Sequence, residues 1–392
     1  MKTMKSLAIA TLIILIGFSA NSQEEKQEAD SRHAPFQLTF IYPLSTNGFH
    51  AKEFTNDVSL NLIAGYSGGL SGVGFSGFAG HLQYNMNGLQ IAGFSNSVLG
   101  KGEGVQFSGF SNYIKESFTG VQVTGFSNVA NSHITGIQFS GFSNVTTGPT
   151  NGFQAAGFAN YSRGNHAGQL SGFANINTGN QSGIQVSGFA NVTTEEVVGT
   201  QISGFFNSAS KLNGLQLGLV NYVDSLQSGT VIGVFNYVKN GYQTMEVSSS
   251  ETLYGMATFK SGTRGFYTMI SVGASPRDDM LLWGWGFGLG TIIKTSKKTN
   301  LAIEGFSYHI SEDEWFTDRL NLLNKLRLTE SWEVTKNVSL FAGASWNVVV
   351  ADNEDEKGNP MESSIAPWTQ WTKTSGGTDI QMYPGFTAGL RF

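Results

Sequence analysis

One pentapeptide in the sequence has the spacing of a catalytic serine motif. Residues 65–69, GYSGG, match Gly-x-Ser-x-Gly, in which the serine stands on a sharp turn between a strand and a helix. Here more glycine and a further strand pattern follow Ser67, so that no helix is predicted behind it. The residues therefore favour a strand end at this position over a nucleophile.

The histidines and acidic residues do not form a metal-binding pattern. The six His have no spacing typical of zinc ligands. Residues 352–358 resemble a calcium loop, but Lys357 stands where an EF-hand requires Gly, and Ser363 stands where it requires Glu. The absence of Cys excludes disulfides, thiolate metal sites and a catalytic cysteine. We therefore predict no metal, no cofactor and no enzymatic activity.

The composition is unusual for a soluble domain. Charged residues make up 13% of the chain, against roughly 25% in an average soluble domain. The net charge of −5 provides no basic surface for nucleic acid. The chain also contains 50 Gly and only 7 Pro. A protein with so few charges is expected to place much of its surface against something other than water.

The N-terminus has the pattern of a secretory signal. Lys2 and Lys5 precede an apolar segment at residues 7–18, and the small residues at 20–22 form a cleavage site. Residues 1–22 are therefore predicted to be removed on export. Residues 23–35 lack hydrophobic periodicity and are predicted to form a periplasmic lead-in.

Residues 70–238 are a tandem repeat of the core Gly-Val-Gln-x-Ser-Gly-Phe-Ser-Asn, in eleven units that include shortened copies. The Phe recurs every 16 residues from Phe78 to Phe158, and then at intervals of 15 or 16 residues as far as Phe205. Alternation of polar and apolar residues followed by turn residues predicts one strand and one turn per unit. The residues that define three successive units are Gln106, Phe110, Asn112, Gln122, Phe126, Asn128, Gln138, Phe142 and Asn144.

Two architectures fit these units. In an outer-membrane β-barrel, the variable apolar face would meet lipid, and Gln, Phe and Asn would face the lumen. In the alternative, a smaller barrel carries a β-solenoid with a period of 15–16 residues, in which Phe stacks inside and Asn forms a ladder at a corner. The near-constant period favours the solenoid, whereas the flanking sequence favours the barrel.

The flanks of the repeat alternate strongly. In residues 283–290, Trp, Trp, Phe and Leu alternate with four Gly, and residues 36–42 and 58–64 alternate in the same manner. We therefore assign residues 36–69 and 239–392 to barrel strands. Together with the repeats, they give the preferred prediction for this all-β chain, an outer-membrane barrel of about 20 antiparallel strands, eleven of them repeat strands.

The predicted connections in the C-terminal part alternate in length, as expected for tight periplasmic turns and longer extracellular loops. The short set is residues 261–264, 295–299 and 334–337, and the longer set is residues 275–280, 311–320 and 351–382. The last of these loops, which contains Asn359, is therefore predicted to be exposed at the cell surface.

The last strand, with Phe386, Leu390 and Phe392, completes the pattern. Together, the repeats, the strand at 58–65 and the tail at 383–392 resemble a family of bacterial surface-repeat outer-envelope proteins. Members of that family carry tandem Gly-Val-Gln-x-Ala-Gly-Leu-x-Asn units, whereas here Phe mostly replaces Leu. The resemblance implies an outer-membrane or surface location and brings no established chemistry. The terminal Phe392 separately looks like the closing residue that the barrel insertion machinery reads.

These features predict an outer-membrane β-barrel surface protein, with a channel or porin-like activity as the first hypothesis. A non-catalytic structural or adhesive surface protein is the alternative. The expected partners are outer-membrane lipid, lipopolysaccharide and the insertion machinery, with no nucleic acid. The sequence indicates no particular oligomeric state.

Overall fold

Two β architectures follow one another along the chain in the computed structural model, which describes residues 32–277, 280–312, 319–335, 337–353 and 363–392. The signal predicted at residues 1–22, most of the lead-in and Asn359 therefore lie outside the described residues. Among the residues within those ranges, no helix is long and apolar enough to span a membrane.

The first architecture is a parallel β-solenoid of about 12 turns. A typical coil consists of a seven-residue long strand, a corner that contains Gly and Phe, a four-residue short strand and a turn. A single 3-10 helix, Gly48–Glu53, interrupts the first coils. The strands are β1 (Arg32–Ile41), β2 (Leu44–Ser45), β3 (Phe54–Ser67), β4 (Gly69–Ser76), β5 (Ala79–Leu82), β6 (Met86–Ala92), β7 (Ser95–Val98), β8 (Gly102–Ser108), β9 (Ser111–Ile114), β10 (Phe118–Thr124), β11 (Ser127–Ala130), β12 (Ile134–Ser140), β13 (Ser143–Thr146), β14 (Thr150–Ala156), β15 (Ala159–Ser162), β16 (Asn165–Ser171), β17 (Ala174–Asn177), β18 (Gln181–Ser187), β19 (Ala190–Ser203), β20 (Phe206–Leu217), β21 (Val220–Ile232) and β22 (Phe235–Val238).

The repeat strands pair in parallel, each residue beside its equivalent in the next coil. Gln122 of β10 lies beside Gln106 of β8 on one side and Gln138 of β12 on the other. The expectation that repeat strands belong to one barrel of about 20 antiparallel strands is therefore wrong. Alternation of polar and apolar residues is common to both architectures and does not distinguish them. Units of equal length, however, can stack in register. Stacking then pairs the backbone hydrogen-bonding groups along every strand edge inside the repeat.

The strands predicted within residues 36–69 also belong to the solenoid. β1 pairs in parallel with β3, and β3 continues the stack by pairing in parallel with β4 and β5. The smaller barrel carrying a solenoid, which the sequence left as the alternative, is thus the architecture of this chain.

Glycine is required where successive coils approach most closely. Gly120 has φ +139°, and a Cβ built there would lie 1.8 Å from the carbonyl oxygen of Gly104 in the preceding coil. Gly125, just before the Phe of its coil, would place a Cβ 2.2 Å from the Gly109 carbonyl oxygen. Two rows of glycine, the first interrupted at Ala167, therefore allow the coils to stack.

The second architecture is a closed antiparallel barrel of eight strands. β31 closes it by pairing with β29 on one side and β23 on the other, and β30 forms a hairpin with β31. The strands are β23 (Tyr242–Ser250), β24 (Gly255–Gly262), β25 (Tyr267–Arg277), β26 (Met280–Lys294), β27 (Thr299–Glu312), β28 (Asn321–Glu333), β29 (Ser339–Asp352), β30 (Trp371–Ser375) and β31 (Thr378–Arg391).

The alternation of connection lengths holds only in part. Short turns at residues 263–266, 295–298 and 334–338 lie at one end of the barrel, which is also the end where β23 begins and β31 ends. At the opposite end the connections are longer, because β27 ends at Glu312 and β28 begins at Asn321, and β29 ends at Asp352 and β30 begins at Trp371. The expected longer connection at residues 275–280 is wrong, because β25 continues to Arg277 and β26 already begins at Met280.

The solenoid meets the barrel at the end with the short turns. Residues 239–241 join β22 to β23, and the Gly241 amide donates to the Val238 carbonyl over 2.9 Å. The hydroxyl of Ser261, beside the first short turn, donates to the carbonyl of Asn236. The side-chain amide of Gln243 donates to the Val238 carbonyl over 3.1 Å. The last coil is thus fixed directly to the barrel.

Candidate functional site: coil interior, aromatic ladder and barrel lumen

The predicted repeat glutamines lie in the interior of the coils. Gln106, Gln122 and Gln138 are fully buried. The Gln122 amide nitrogen donates to Oε1 of Gln106 over 2.6 Å, and Gln138 donates to Gln122 over 2.8 Å. A ladder of identical amides satisfies each donor and acceptor in turn, so that burial leaves no unpaired group at these links.

A second amide ladder runs beside the first. Asn112 donates to Oδ1 of Asn128 over 3.0 Å, and Asn128 donates to Asn144 over 2.9 Å. Asn128 Nδ2 also donates to the carbonyl of Phe139 over 2.8 Å. All three asparagines are fully buried. The expected Asn ladder is therefore present beside the corner that contains Gly125 and Phe126, and its amides bind successive coils together from within.

The repeat phenylalanines form an aromatic ladder on the outside of the solenoid. The rings of Phe110 and Phe126 stack with centroids 4.7 Å apart, and those of Phe126 and Phe142 with centroids 4.8 Å apart. Each of these rings is 40% exposed. The expectation that Phe stacks inside a solenoid is thus wrong, since the amide ladders occupy the interior. The ladder consists of Phe78, Phe94, Phe110, Phe126, Phe142, Phe158, Phe173, Phe189 and Phe205.

A second apolar row runs parallel to the aromatic ladder, on the outer face of the long strands. The row of exposed glycines that contains Gly125 forms the floor between them. The two rows and the glycine floor between them form a shallow trough. Beside Ala155, which stands between Phe139 and Leu170 in the second row, this trough widens into a hollow of about 480 Å³. The row consists of Ile91, Phe107, Val123, Phe139, Ala155, Leu170, Val186, Ile202, Leu217 and Ile232.

The charged side chains of residues 32–241 lie at one corner of the coils, here called the charged corner. This corner consists of the turn between one coil and the next, together with the start of the following long strand. Here a hydrogen bond from His50 is the main cause that lowers the pKa of Glu53. A hydrogen bond to Asp224, together with burial, raises the pKa of Tyr222 to about 12. The Lys, Arg, Asp and Glu residues of this range are Arg32, Lys52, Glu53, Asp57, Lys101, Glu103, Lys115, Glu116, Arg163, Glu195, Glu196, Lys211, Asp224 and Lys239.

Five charged side chains fill the lumen of the barrel near its short-turn end. Lys260 Nζ lies 2.6 Å from Glu246 and 2.5 Å from Glu304. Arg327 contacts the same two carboxylates, each over 2.6 Å, and Arg391 lies 2.9 Å from Glu246. All five are at least 94% buried. The two carboxylates are therefore shared among three cations, and the charges neutralise one another except for one positive charge.

A second ion pair and an apolar plug fill the rest of the lumen. Lys325 lies 2.9 Å from Glu251, which also accepts a hydrogen bond from Asn347 over 2.9 Å. Toward the long-loop end, a buried apolar cluster includes Tyr308 and Ile365. Ile365 belongs to the long connection between β29 and β30, so that this connection folds back into the mouth of the barrel.

The outer face of the barrel is apolar. Trp285, Phe287 and Leu289 of β26 are exposed on this face, while the intervening glycines face inward. A Cβ at Gly286 would lie 2.8 Å from the Tyr308 ring, so the glycine face leaves room for aromatic side chains in the lumen.

In the predicted closing strand, Phe386 is exposed on the outer face and Leu390 is half-buried. Leu390 lies beside Val247 of β23 and Leu340 of β29. Phe392 lies just beyond β31, where its amide donates to the Met245 carbonyl over 2.9 Å. The closing strand therefore joins the two ends of the barrel sheet.

The ion network of the barrel was not predicted from the sequence. Its signal is present, because Lys325 and Arg327 alternate with Leu326 and Leu328 along β28. A charged residue opposite an apolar face in a barrel strand marks a position in the lumen. What no local pattern reveals is that Glu304 lies directly across the strand pair from Arg327.

The motif at residues 65–69 forms no strand-to-helix elbow. Ser67 is buried at the end of β3, and β4 begins at Gly69. Within the described ranges, no group of three or more His, Asp or Glu side chains is placed to hold a metal ion.

Comparison with known proteins finds no match: neither a family model, nor a curated protein, nor a solved structure is significantly similar to this chain.

Proposed function

We propose that this chain is an outer-membrane protein whose C-terminal barrel is a membrane anchor and whose solenoid is a non-catalytic structural module. The observation that carries the proposal is the inversion of polarity in the barrel. Its exposed outer face carries Trp285, Phe287 and Leu328, whereas its lumen carries Lys260, Glu304 and Arg327. A soluble barrel would reverse this arrangement, because water is a poor environment for a continuous apolar surface.

The filled lumen favours an anchor over a channel. An eight-stranded barrel encloses a space that side chains can fill completely. Here the ion pairs of Arg327 block one end, and the apolar plug with Ile365 blocks the other. A porin-like activity would require this network to open, which would leave buried charges without partners.

The ends of the barrel define an orientation. Outer-membrane barrels have short periplasmic turns and longer extracellular loops. The turns at residues 263–266 and 295–298 are short and lie at the end where the last coil is attached. We therefore propose that the solenoid lies in the periplasm and that the hairpin of β30 and β31 lies at the cell surface, where it would meet lipopolysaccharide. This orientation favours a structural role over adhesion to an external partner.

Assembly of such an anchor would depend on the barrel insertion machinery. β31 is the strand that closes the sheet, and Phe392 follows it directly. The proposed role of Phe386, Leu390 and Phe392 is accordingly to present the closing strand for insertion. This role rests on the resemblance of the tail to outer-membrane closing strands.

Fractionation of cells tests the location. The chain should be recovered in the outer membrane and should migrate faster on gels before heating than after, because a folded barrel resists denaturation by detergent. Recovery as a soluble periplasmic monomer would contradict the anchor.

Conductance tests the choice between anchor and channel. The purified protein in a planar bilayer should give no steady single-channel current, because the lumen is filled. Discrete conductance steps that disappear with a heat-denatured control would restore the channel hypothesis.

A further inference from the structure

The aromatic ladder, its glycine floor and the parallel apolar row form one continuous strip along the solenoid, here called the apolar strip. Phe110, Phe126 and Phe142 are each 40% exposed, and Phe139 and Leu170 of the parallel row are 43% and 46% exposed. Since coils are spaced by about 4.8 Å, nine rings give the strip a length of about 40 Å. Such an extended apolar surface marks an interaction with a membrane or a protein partner.

The charges of the solenoid are placed as far from the apolar strip as a coil permits. Lys101 and Glu103 lie where the long strand β8 begins, whereas Phe110 lies just after its end. A strand of seven residues spans about 20 Å. Glu116 and Arg163 occupy the same corner in later coils. The solenoid is therefore amphipathic across its width, with one corner suited to water and the other to an apolar medium.

The backbone amides along the apolar strip are hydrogen-bonded between coils. The Gly125 amide donates to the Ser108 carbonyl over 3.2 Å, and the Phe126 amide donates to the Phe110 carbonyl over 3.1 Å. The Gly141 and Phe142 amides repeat this pattern one coil later. An unsatisfied backbone group in a lipid environment would cost several kcal/mol. These hydrogen bonds remove that cost for the amide groups of the strip, which favours its contact with hydrocarbon.

We propose that the apolar strip lies against a phospholipid bilayer surface, with the charged corner directed toward water. The proposal rests on the proposed membrane anchor, because residues 239–241 tether the last coil directly to the barrel. A lipid surface fits the strip better than a protein partner does. Protein interfaces have a polar rim and a few deep anchoring pockets, whereas the strip repeats Phe in nine successive coils and is lined on both sides by apolar or small residues. Interfacial segments combine this chemistry with a charged opposite face.

The absence of Cys allows a direct test by site-directed spin labelling of the full chain reconstituted in phosphatidylethanolamine–phosphatidylglycerol vesicles. Single variants Leu170→Cys, in the apolar strip, and Glu116→Cys, at the charged corner, would carry the nitroxide. A third variant, Phe287→Cys, places the label on the outer face of the barrel and reports its insertion. Collision of each label with oxygen, which concentrates in lipid, is compared with collision with a water-soluble nickel complex.

The expected result is oxygen-dominated collision at Leu170 and Phe287 and nickel-dominated collision at Glu116. If Phe287 reports lipid but Leu170 reports water, the lipid contact is refuted and the anchor stands. If Phe287 also reports water, the proposed anchor itself fails. Spin–spin broadening at Leu170 that grows with protein density would identify a second copy of the chain as the occupant and would likewise overturn the proposal.

Discussion

At the scale of single residues, the buried asparagines connect more groups than their size suggests. Asn128 receives a hydrogen bond from Asn112, donates to Asn144 and also donates to the carbonyl of Phe139. One side chain therefore joins three successive coils. The side chain of Phe126, by contrast, stacks at the surface on the rings of Phe110 and Phe142.

This difference predicts which of two substitutions in the same coil lowers the free energy of unfolding more. Asn128→Ala leaves buried polar groups of Asn112, Asn144 and Phe139 short of a partner, at about 1–3 kcal/mol for each group. Phe126→Ala loses two half-exposed ring contacts, worth about 0.5–1.5 kcal/mol each beyond their buried area. Limited proteolysis in urea should therefore show the larger loss of resistance in Asn128→Ala.

Two observations complete that test. The damage should be confined to the repeat, because a coil contacts only its neighbours. Val129→Ala, on the outer face of the same short strand, serves as the matched control and should change little. A larger loss in Phe126→Ala than in Asn128→Ala would contradict the assignment of interior and exterior.

The residue scale is where sequence reasoning failed most clearly. Apolar residues dominate protein interiors, but an apolar side chain such as the repeat Phe is not always buried. Gln122 and Asn128 are buried because each has an identical amide one coil away on both sides. That partner exists only after the coils have stacked, so no single unit reveals it. The period alone, by contrast, correctly indicated that stacking was possible.

At the scale of elements, the coils depend on the glycine row that contains Gly120. Gly120→Ala should disrupt stacking, because the new methyl group would lie 1.8 Å from the Gly104 carbonyl oxygen and the residue has φ +139°. Gly164→Ala is the matched control, since its nearest neighbour atom would lie 3.6 Å away. Protease resistance of the repeat should fall in the first variant and persist in the second. Equal resistance in both would refute the close contact between coils.

The barrel strands depend in a similar way on the ion network in the lumen. Arg327→Met removes a cation that contacts both Glu246 and Glu304, and breaking such a buried pair costs about 3–5 kcal/mol. Leu328→Met, on the outer face of the same strand, should cost less than about 1.5 kcal/mol. The temperature at which the folded band converts to the unfolded band on gels should fall mainly for Arg327→Met. Matching temperatures for the two variants would contradict a structural role for the network.

The element boundaries of the barrel were largely predictable, whereas the assignment of strands to sheets was not. The alternation in residues 283–290 put Trp and Gly on opposite faces, and β26 covers this segment with Trp285 exposed and Gly286 buried. The strand at residues 58–64 shows the same alternation but belongs to the solenoid. Alternation reports which side chains share a face; it does not report whether the neighbouring strand is parallel or antiparallel.

At the scale of the whole molecule, the chain joins two different solutions to the problem of exposed strand edges. The barrel removes its edges by pairing β31 with β23. The solenoid pairs each coil with the next, and its last coil lies against the barrel through Asn236 and Ser261. The apolar surfaces of both parts face outward. With the proposed barrel anchor in lipid, the barrel would fix where the coils lie along the boundary between water and lipid.

The orientation of the whole molecule gives the last prediction. A small peptide tag inserted between Gly376 and Gly377, in the exposed turn between β30 and β31, should react with antibody on intact cells. A tag inserted between Gly100 and Lys101, in a turn at the charged corner, should react only after the outer membrane is permeabilised. The reason is that long loops face the cell exterior, whereas the coils are attached at the end with short turns. Gly376, Gly377 and Lys101 are exposed, so both chains should still assemble, which heat-modifiable migration on gels can verify. Reaction of the coil tag on intact cells, with the loop tag reacting only after permeabilisation, would reverse the orientation and place the coils outside, where an adhesive function would replace the periplasmic one.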